Sequence, residues 1–290
     1  MKYTVFVLLG LFSLTTVNAQ GFQWWNDLHD WNGVTPWRRY IQLSTSGLGP
    51  NALPVPTFNS REIKDGYSID NQLRYHHNPD DPTFDHQIRI DYQLFNRIGI
   101  AAWMVTAEYY NTSIALRNQR KLREFEPKGI VSGDVYLSTY LNILQENQNR
   151  PTLLLSANLK TASGNNLGGG RHTDTPGYYF DLLAAKTYGA FRPYIASGLY
   201  VYQTFSTRNY QNDAFLYGIG THFNKHRYEI QLEWAGYIGY FDIGDKPSVI
   251  RVDLSFKIND NNRILIRTQT GLNDFDYHTI SLGYTYIYRK

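Results

Sequence analysis

Apolar and polar residues alternate with period two over long stretches of this chain, most clearly between residues 133 and 164. GDVYLSTYLNILQ (133–145) places Val, Leu, Thr and Ile side chains on one side and Asp, Tyr, Ser and Asn side chains on the other. TLLLSANLKTASG (152–164) repeats the pattern after the polar connector ENQNRP. Period two is the pattern of a strand with one apolar face. These residues predict a hairpin of two strands, each about ten residues long.

The same alternation recurs between residues 67 and 288 and predicts about twelve strands, an even number typical of outer-membrane barrels. The predicted strands cover 67–75, 84–94, 98–109, 133–145, 152–161, 177–188, 192–202, 214–223, 226–234, 248–258, 263–271 and 277–288. Short connections (95–97, 189–191, 224–225 and 259–261) alternate with mostly longer ones (110–130, 162–176, 203–212 and 237–247). Transmembrane barrels show this asymmetry, with short periplasmic turns and long outer loops. The pattern predicts an all-β fold, one antiparallel transmembrane β-barrel of the outer-membrane type.

The polar face of these strands carries many charges. Whether that face points outward or toward a lumen distinguishes a soluble β-sandwich from a barrel in lipid. A soluble β-sandwich would turn the charged face to water outside, whereas a barrel in lipid turns it toward the lumen. In lipid, an outward Arg or Lys at the bilayer midplane would cost about 2–4 kcal/mol. Strand length and unequal connections favour the barrel, with opposite charges side by side on neighbouring strands. The lumen-lining candidates are Asp85, Arg89, Asp91, Asp134, Lys160, Arg227, Glu229, Glu233, Arg251, Asp253, Lys257, Arg263 and Arg267.

Composition narrows the class further. The 290 residues carry a formal charge of +3, so charge indicates no nucleic-acid partner, and the mean hydropathy of −0.44 indicates no helical membrane protein. The 24 Tyr, 15 Phe and 6 Trp suit both strands and the aromatic girdles of membrane barrels. Cysteine is absent, which excludes disulfides, thiolate metal sites and a cysteine nucleophile.

Three parts of the chain are predicted. Residues 1–19 have a lysine, an apolar core and a VNA cleavage site, as in a signal peptide, and indicate export. Residues 20–66 are rich in Trp and Pro and form a periplasmic or pre-barrel segment. Its first part, up to Trp37, suits a short periplasmic helix or an interfacial anchor. Its proline-rich part, 38–66, is expected to tuck into the lumen or under the barrel. Residues 67–290 form the barrel.

Other motifs give weaker signals. His and Asp residues surround the turn NPDDPT (78–83), but their spacing matches no known metal site, so we interpret them as a solvated turn. GNNLGGGRHTDT (164–175) lacks the ending of a phosphate loop and is interpreted as an outer loop, with a constriction in the lumen as the alternative. RNQRKLREFEPK (117–128) is interpreted as a solvated loop, with contact to lipopolysaccharide phosphates as the alternative. No nucleophile elbow occurs, and no cofactor is predicted.

The residues around the central hairpin resemble a known family. Gly133-Asp134 opening GDVYLSTYLNILQ, the strand ending at Lys160 and Thr161, and GYYFDLLAAKTYG (177–189) are similar to the core of the phenol meta-cleavage pathway outer-membrane family. The similarity is clearest over 130–190. Thr161-Ala162-Ser163-Gly164 replaces the family's Pro-Thr-Gly corner, and GPNALPVP (49–56) is outside its pattern, which suggests a divergent subfamily. The resemblance implies an outer-membrane transporter and supplies no catalytic residues.

These observations predict a channel or transporter for small molecules, including hydrophobic ones, in the cell outer membrane. The alternative is a non-conducting barrel with a structural, adhesive or assembly role, and an outer-membrane hydrolase is a further, less favoured one. The expected partners are outer-membrane lipid, lipopolysaccharide, a small solute and the barrel-assembly machinery. No enzyme activity is expected.

Overall fold

The chain folds into a closed barrel, seen in a computed structural model that describes residues 21–58, 66–164, 166–203, 212–239 and 245–289. The predicted signal peptide lies outside these residues. The strands are β1 (Tyr67–His77), β2 (Thr83–Phe95), β3 (Ile98–Asn111), β4 (Lys128–Val131), β5 (Val135–Leu144), β6 (Thr152–Lys160), β7 (Gly177–Ala185), β8 (Phe191–Gln203), β9 (Asn212–Lys225), β10 (Tyr228–Gly239), β11 (Ser248–Lys257), β12 (Asn262–Asn273) and β13 (His278–Tyr288). The helices are α1 (Gln23–Leu28) and α2 (Ile114–Gln119), with 3-10 turns at Trp37–Arg39 and Leu167–Gly169.

Twelve of the strands form the wall, which confirms the predicted fold. Each strand pairs antiparallel with its neighbours in sequence, and β1 closes the sheet by pairing with both β2 and β13. The thirteenth strand, β4, extends only the end of β3, which otherwise pairs with β5. With α2 it forms part of the connection that the sequence predicted as an irregular charged loop. Among the described residues, no helix is long and apolar enough to cross a membrane.

The outer surface of the barrel is apolar, as the period-two pattern predicts. On β11, Ile250 and Leu254 are exposed while Arg251 and Asp253 between them are buried. The same holds for Leu232 and its neighbours on β10. A soluble protein rarely exposes such a continuous apolar surface, whereas a barrel in lipid requires it. The chain is therefore an outer-membrane β-barrel.

The two ends of the barrel differ. One end, here called the turn end, carries tight connections such as 96–97 and 226–227. The other, the loop end, carries the connections with α2, β4 and the second 3-10 turn. In an outer-membrane barrel the turn end faces the periplasm and the loop end faces outward.

Residues 41–58, here called the plug, run through the lumen. Leu48, Ala52, Leu53, Val55 and Phe58 are all buried and form the core with inward-facing side chains of the wall. The sequence left two positions open for the proline-rich part, inside the lumen or under the barrel. The plug lies inside the lumen. Its apolar residues find cover here that a solvent-exposed linker would lack.

The segment before the plug lies at the loop end. The indole Nε1 of Trp25 in α1 donates a hydrogen bond to the Lys121 carbonyl, 3.0 Å away, in the connection after α2. The Arg123 guanidinium lies over the Phe22 ring, 3.8 Å from its centroid. The role of the Trp-rich part as a periplasmic helix or an interfacial anchor stays a prediction. These contacts join residues about a hundred positions apart, so local sequence does not indicate them.

Candidate functional site

The plug is anchored first to β1, β2 and β3, near the loop end. The Asn51 amide donates to Asp85 Oδ2 and to Glu108 Oε2, both at 2.6 Å, and its oxygen accepts from Arg74 Nη2 at 2.8 Å. Arg74 also makes two hydrogen bonds to Asp85, whose other neighbour is His76. Both carboxylates are fully buried. Asn51 thus satisfies two buried acidic groups with one side chain, which fixes its position along the lumen.

A second anchor lies on β10 and β11, on another side of the lumen. Arg251 donates to the carbonyl oxygens of Val55 and Pro56, at 2.6 and 2.9 Å, and to Glu233 Oε1 at 2.6 Å. The backbone N–H of Phe58 donates to the other oxygen of Glu233 at 3.2 Å. A proline-rich segment has few N–H groups for a sheet, and here the wall supplies the donor for its carbonyl groups.

Close packing supports this second anchor. A Cβ added to Gly218 of β9 would lie 2.3 Å from the Phe58 ring, so only glycine leaves room for that ring. Tyr194 donates a hydrogen bond to Glu233 at 2.9 Å and accepts one from Gln231. The phenylalanine ring and the ion pair therefore occupy one tightly filled layer across the lumen.

Above the plug, loop residues form a buried ionic cluster around Asp81. Its carboxylate accepts from Arg171, Arg120, Thr112 and Tyr277, and Arg171 also reaches Glu108 Oε1 at 3.2 Å. Burial alone would raise the pKa of Asp81, but the two guanidinium groups hold it below its ordinary value. The cluster joins the turn after β1, the α2 connection, the glycine-rich connection and the connection before β13 into one cover at the loop end.

The glycine-rich connection contacts the plug directly. The N–H of Gly49 donates to the Gly170 carbonyl at 2.7 Å, and Gly170 has φ +71, which glycine adopts without strain. A Cβ on Gly49 would lie 2.8 Å from the Arg171 guanidinium. Of the two interpretations of 164–175, these contacts agree with the constriction. His172, in the same connection, has its pKa lowered to about 4, chiefly by burial.

Along the plug and beneath it lies a cavity of about 330 Å³ that runs from Asn51 and His76 to Gln93 and Ile287 near the turn end. Its two sides differ in chemistry. The side formed by β3, β5, β7 and β8, here called the aromatic wall, presents Trp103, Tyr136, Tyr140, Tyr179 and Tyr200. The side formed by β11, β12, β1 and β2, here called the charged wall, presents Asp70, Arg74, Arg89, Asp91, Arg251, Asp253, Arg263 and Arg267.

Most of the predicted lumen-lining residues are inward and lie in ion pairs between or along strands. The pairs are Glu233–Arg251 (2.6 Å), Asp253–Arg267 (2.6 Å), Glu229–Arg263 (3.2 Å), Arg89–Asp91 (2.7 Å), Asp134–Lys160 (2.7 Å) and, with a residue outside the prediction, Asp85–Arg74 (2.7 Å). Their part in solute passage stays a prediction.

Two of the residues predicted to line the lumen lie at the turn end instead. Arg227 is exposed in the two-residue turn between β9 and β10, because β10 begins one position later, at Tyr228. Lys257 is the last residue of β11, half-buried at the turn end and opposite Arg263 in register. Strand ends are the part of a period-two pattern that sequence places least well.

Several residues of the site were missed by the sequence interpretation. Asn51, Arg74, Asp81, Glu108 and Arg171 hold the plug and its cover. Arg74 and Glu108 do fall on the inward face of predicted strands, so alternation could have indicated them. Asp81 and Arg171 lie in connections without periodicity, and only the fold brings them together.

The comparisons with known proteins agree with this fold. No family model matches the chain, and no curated protein matches it at a significant level. The COG4313 outer membrane channel from Pseudomonas putida F1 is similar in structure, with a TM-score of 0.60 at 11% identity over 81% of this chain and 100% of that chain. The NanC porin gives a TM-score of 0.55 at 8% identity over 76% of this chain and 99% of its own. The KdgM porin gives 0.51 at 12% identity over 77% and 99%.

These identities are low, so the similarity concerns the fold alone. It covers nearly the whole of each matched barrel, and all three matched proteins are described as channels or porins rather than enzymes. Together with the apolar outer surface, the comparisons give an outer-membrane β-barrel, and the structure places residues 41–58 in its lumen.

Proposed function

We propose that this protein is an outer-membrane channel for small solutes, held closed by the plug and opened when the plug leaves its two anchors. The observation that carries the proposal is the position of residues 41–58. They occupy the lumen, and the wall that surrounds them is lined by paired charges and amide groups. A polar lining of this kind is what the water-filled channel of a porin has.

The contacts of the plug support release. The described anchors are hydrogen bonds from side chains, such as Asn51 to Asp85 and Arg251 to Val55, and none is covalent. Each of these bonds has one charged partner and contributes about 1.5–3 kcal/mol net. After release the polar part of the wall would be hydrated. The aromatic wall and the apolar wall residues that pack against the plug, such as Leu183 and Leu216, would lose their cover.

The resemblance to the phenol meta-cleavage pathway family and the aromatic wall support solutes with an apolar face. Contact with lipopolysaccharide phosphates through Arg and Lys of the α2 connection, and delivery by the barrel-assembly machinery, belong to the same proposal. Membership in a divergent subfamily of that family is proposed on the motifs of residues 130–190.

One observation favours the alternative of a non-conducting barrel. The cluster around Asp81 ties four connections together over the plug, and a permanently rigid cover would suit a structural or adhesive role. The two hypotheses differ in what happens when the anchors are removed.

The test is planar-bilayer conductance of the purified chain. We compare the full chain with the double variant Asn51→Leu, Arg251→Met and with a chain lacking residues 21–58. A channel predicts rare openings for the full chain, more frequent openings for the double variant and continuous conductance for the deletion. Arg192→Met is the matched control, because Arg192 forms an ion pair with Glu146 at the turn end. Absence of conductance in all of them would favour the alternative.

A further inference from the structure

The cavity beneath the plug has features of a binding site rather than of a passive vestibule. Its volume of about 330 Å³ falls at the lower end of the range for small-molecule pockets, roughly 300–1,000 Å³. It exists while the plug is in place, with Pro54, Val55 and Phe58 forming part of its lining.

The strand register places its aromatic and polar groups opposite each other. On β2, Arg89 lies beside Trp103 of β3, and Gln93 lies beside Gly99. On the far side of β3, Trp103 lies beside Tyr136 of β5. The Trp103 and Tyr136 rings stack, with centroids 3.8 Å apart and an angle of 9° between their planes. The half-buried indole thus gives the cavity a flat aromatic group that Tyr136 holds in place.

Two polar atoms of the cavity lack a hydrogen-bond partner among the described residues. They are the hydroxyl oxygen of Tyr136, whose side chain is only 4% exposed, and Oε1 of Gln93. Buried polar groups are normally satisfied by protein, water or a ligand. The hydroxyl can donate and the amide oxygen can accept, so together they suit a molecule with several hydroxyl groups.

The charges of the cavity do not select a charged ligand. Arg89 makes three hydrogen bonds to Asp91 and one to Tyr140 Oη, and Arg267 donates from Nε and Nη2 to the two carboxylate oxygens of Asp253. Each guanidinium is thereby neutralised by a carboxylate beside it. A ligand with net charge would gain attraction from one member of each pair and repulsion from the other.

We propose that this cavity binds a neutral saccharide of one or two rings, with the apolar face of a ring on Trp103 and its hydroxyl groups on Tyr136, Gln93 and the Arg89–Asp91 pair. A hydrocarbon would leave the two unpartnered polar atoms buried and unsatisfied. An aromatic anion would meet the aromatic wall but find no unpaired cation among Arg89 and Arg267. The inference rests on the proposed channel function, because it names the class of solute that the channel would take.

The test is titration calorimetry of the intact chain in a polyoxyethylene detergent, which contains no sugar. The probes are glucose, maltose, glucuronate, benzoate and decane. The inference predicts binding of glucose or maltose, weaker binding of glucuronate and benzoate, and no specific binding of decane.

Variants make the test residue-specific. Tyr136→Phe removes one hydroxyl and keeps the ring, and it is expected to weaken maltose binding about 3- to 10-fold. Trp103→Leu is expected to weaken it more. Tyr178→Phe is the matched control, since Tyr178 lies on the exposed outer face of β7. Unchanged maltose affinity in Tyr136→Phe, or tighter binding of benzoate or decane than of either sugar, would overturn the inference.

Conductance separates this inference from the proposed function. Conductance after plug removal, without sugar binding, would retain the channel and refute the saccharide site. Sugar binding without conductance in any variant would refute the channel while retaining the site.

Discussion

The loop half and the turn half of the lumen use the same residue types to different effect. In the loop half, Asp81, Glu108 and Arg171 form ion pairs that are fully buried beneath connections and plug. In the turn half, Arg89 and Asp91 form an ion pair whose side chains are 23% and 33% exposed to a cavity. Arginine and carboxylate on an inner wall therefore do not by themselves close or open a barrel. Whether the lumen is closed at such a pair depends on the loops and the plug residues that cover it.

The energetic consequence also differs between the two halves. A buried pair that loses one partner leaves an uncompensated charge in a poorly solvated place, which costs about 3–5 kcal/mol. A pair that faces water contributes about 0–1 kcal/mol. We therefore expect substitutions to have large effects near the loop end and small effects near the turn end, and four predictions test that gradient.

The largest effect is expected for Arg171→Met. The substitution leaves Asp81 and Glu108 short of their shared cation, and we expect a loss of about 3–5 kcal/mol in the free energy of unfolding. The measurement is urea unfolding in lipid vesicles, followed by gel mobility. Arg192→Met, at a partly exposed pair, should lose less than half as much. Equal losses in the two variants would remove the distinction between the halves.

The second prediction concerns pH and His172. Its pKa is lowered to about 4 from an ordinary value near 6.5, so the unfolded chain binds its proton first as pH falls. Stability should therefore drop as pH falls from about 6.5 to 4, by about 3 kcal/mol in total.

In His172→Gln that component of the pH dependence should vanish, as measured by unfolding at pH 7 and pH 5. Asp245 acts in the opposite direction: burial, then Asp274, raises its pKa to about 6, so its stabilising contribution is complete below about 3.8 and is lost as pH rises through 6. The pH profile of Asp245→Asn therefore serves as the control. If the stability of His172→Gln fell with pH as much as that of the original protein, His172 would not be the group that causes the drop.

The third prediction concerns packing at the second anchor. Gly218→Ala places a methyl group where the Phe58 ring lies, and overpacking of this kind costs about 1–3 kcal/mol. We expect faster hydrogen exchange at the plug amides with little change in the wall. Gly168→Ala is the control, because its added Cβ would meet its nearest atom at 3.7 Å. Exchange that is unaffected by Gly218→Ala would show that the ring does not hold the plug.

The smallest effect is expected for Arg89→Gln, in the turn half. Its partner Asp91 is 33% exposed to the cavity, so the unfolding free energy should change by less than about 1 kcal/mol. Vesicle unfolding measures this as well. A loss as large as that of Arg171→Met would show that the cavity is not hydrated.

Sequence alone predicted the wall well and the interior only in part. Period two places Ile250 and Leu254 outward and Arg251 and Asp253 inward, because alternate residues of a strand face opposite sides. It also brings opposite charges to neighbouring strands, as in Glu233 and Arg251. The strand count followed from the same periodicity.

The plug, in contrast, has no periodicity to interpret. Residues 41–58 contain three prolines and make hydrogen bonds to residues up to 196 positions away, as from Arg251 to Val55. Tertiary contacts of this kind leave no local signal, and neither does the position of α1 against Lys121. The sequence did indicate an unusual segment in GPNALPVP, but not the direction of its path.

The most direct test of the central claim is the reactivity of single cysteines introduced into this cysteine-free chain. Ala52 lies in the plug and is fully buried, whereas Gln93 borders the cavity near the turn end. In the intact protein in vesicles, we expect a water-soluble thiol reagent to modify Ala52→Cys at least about a hundredfold more slowly than Gln93→Cys. Equal rates at the two positions would show that residues 41–58 do not close the lumen.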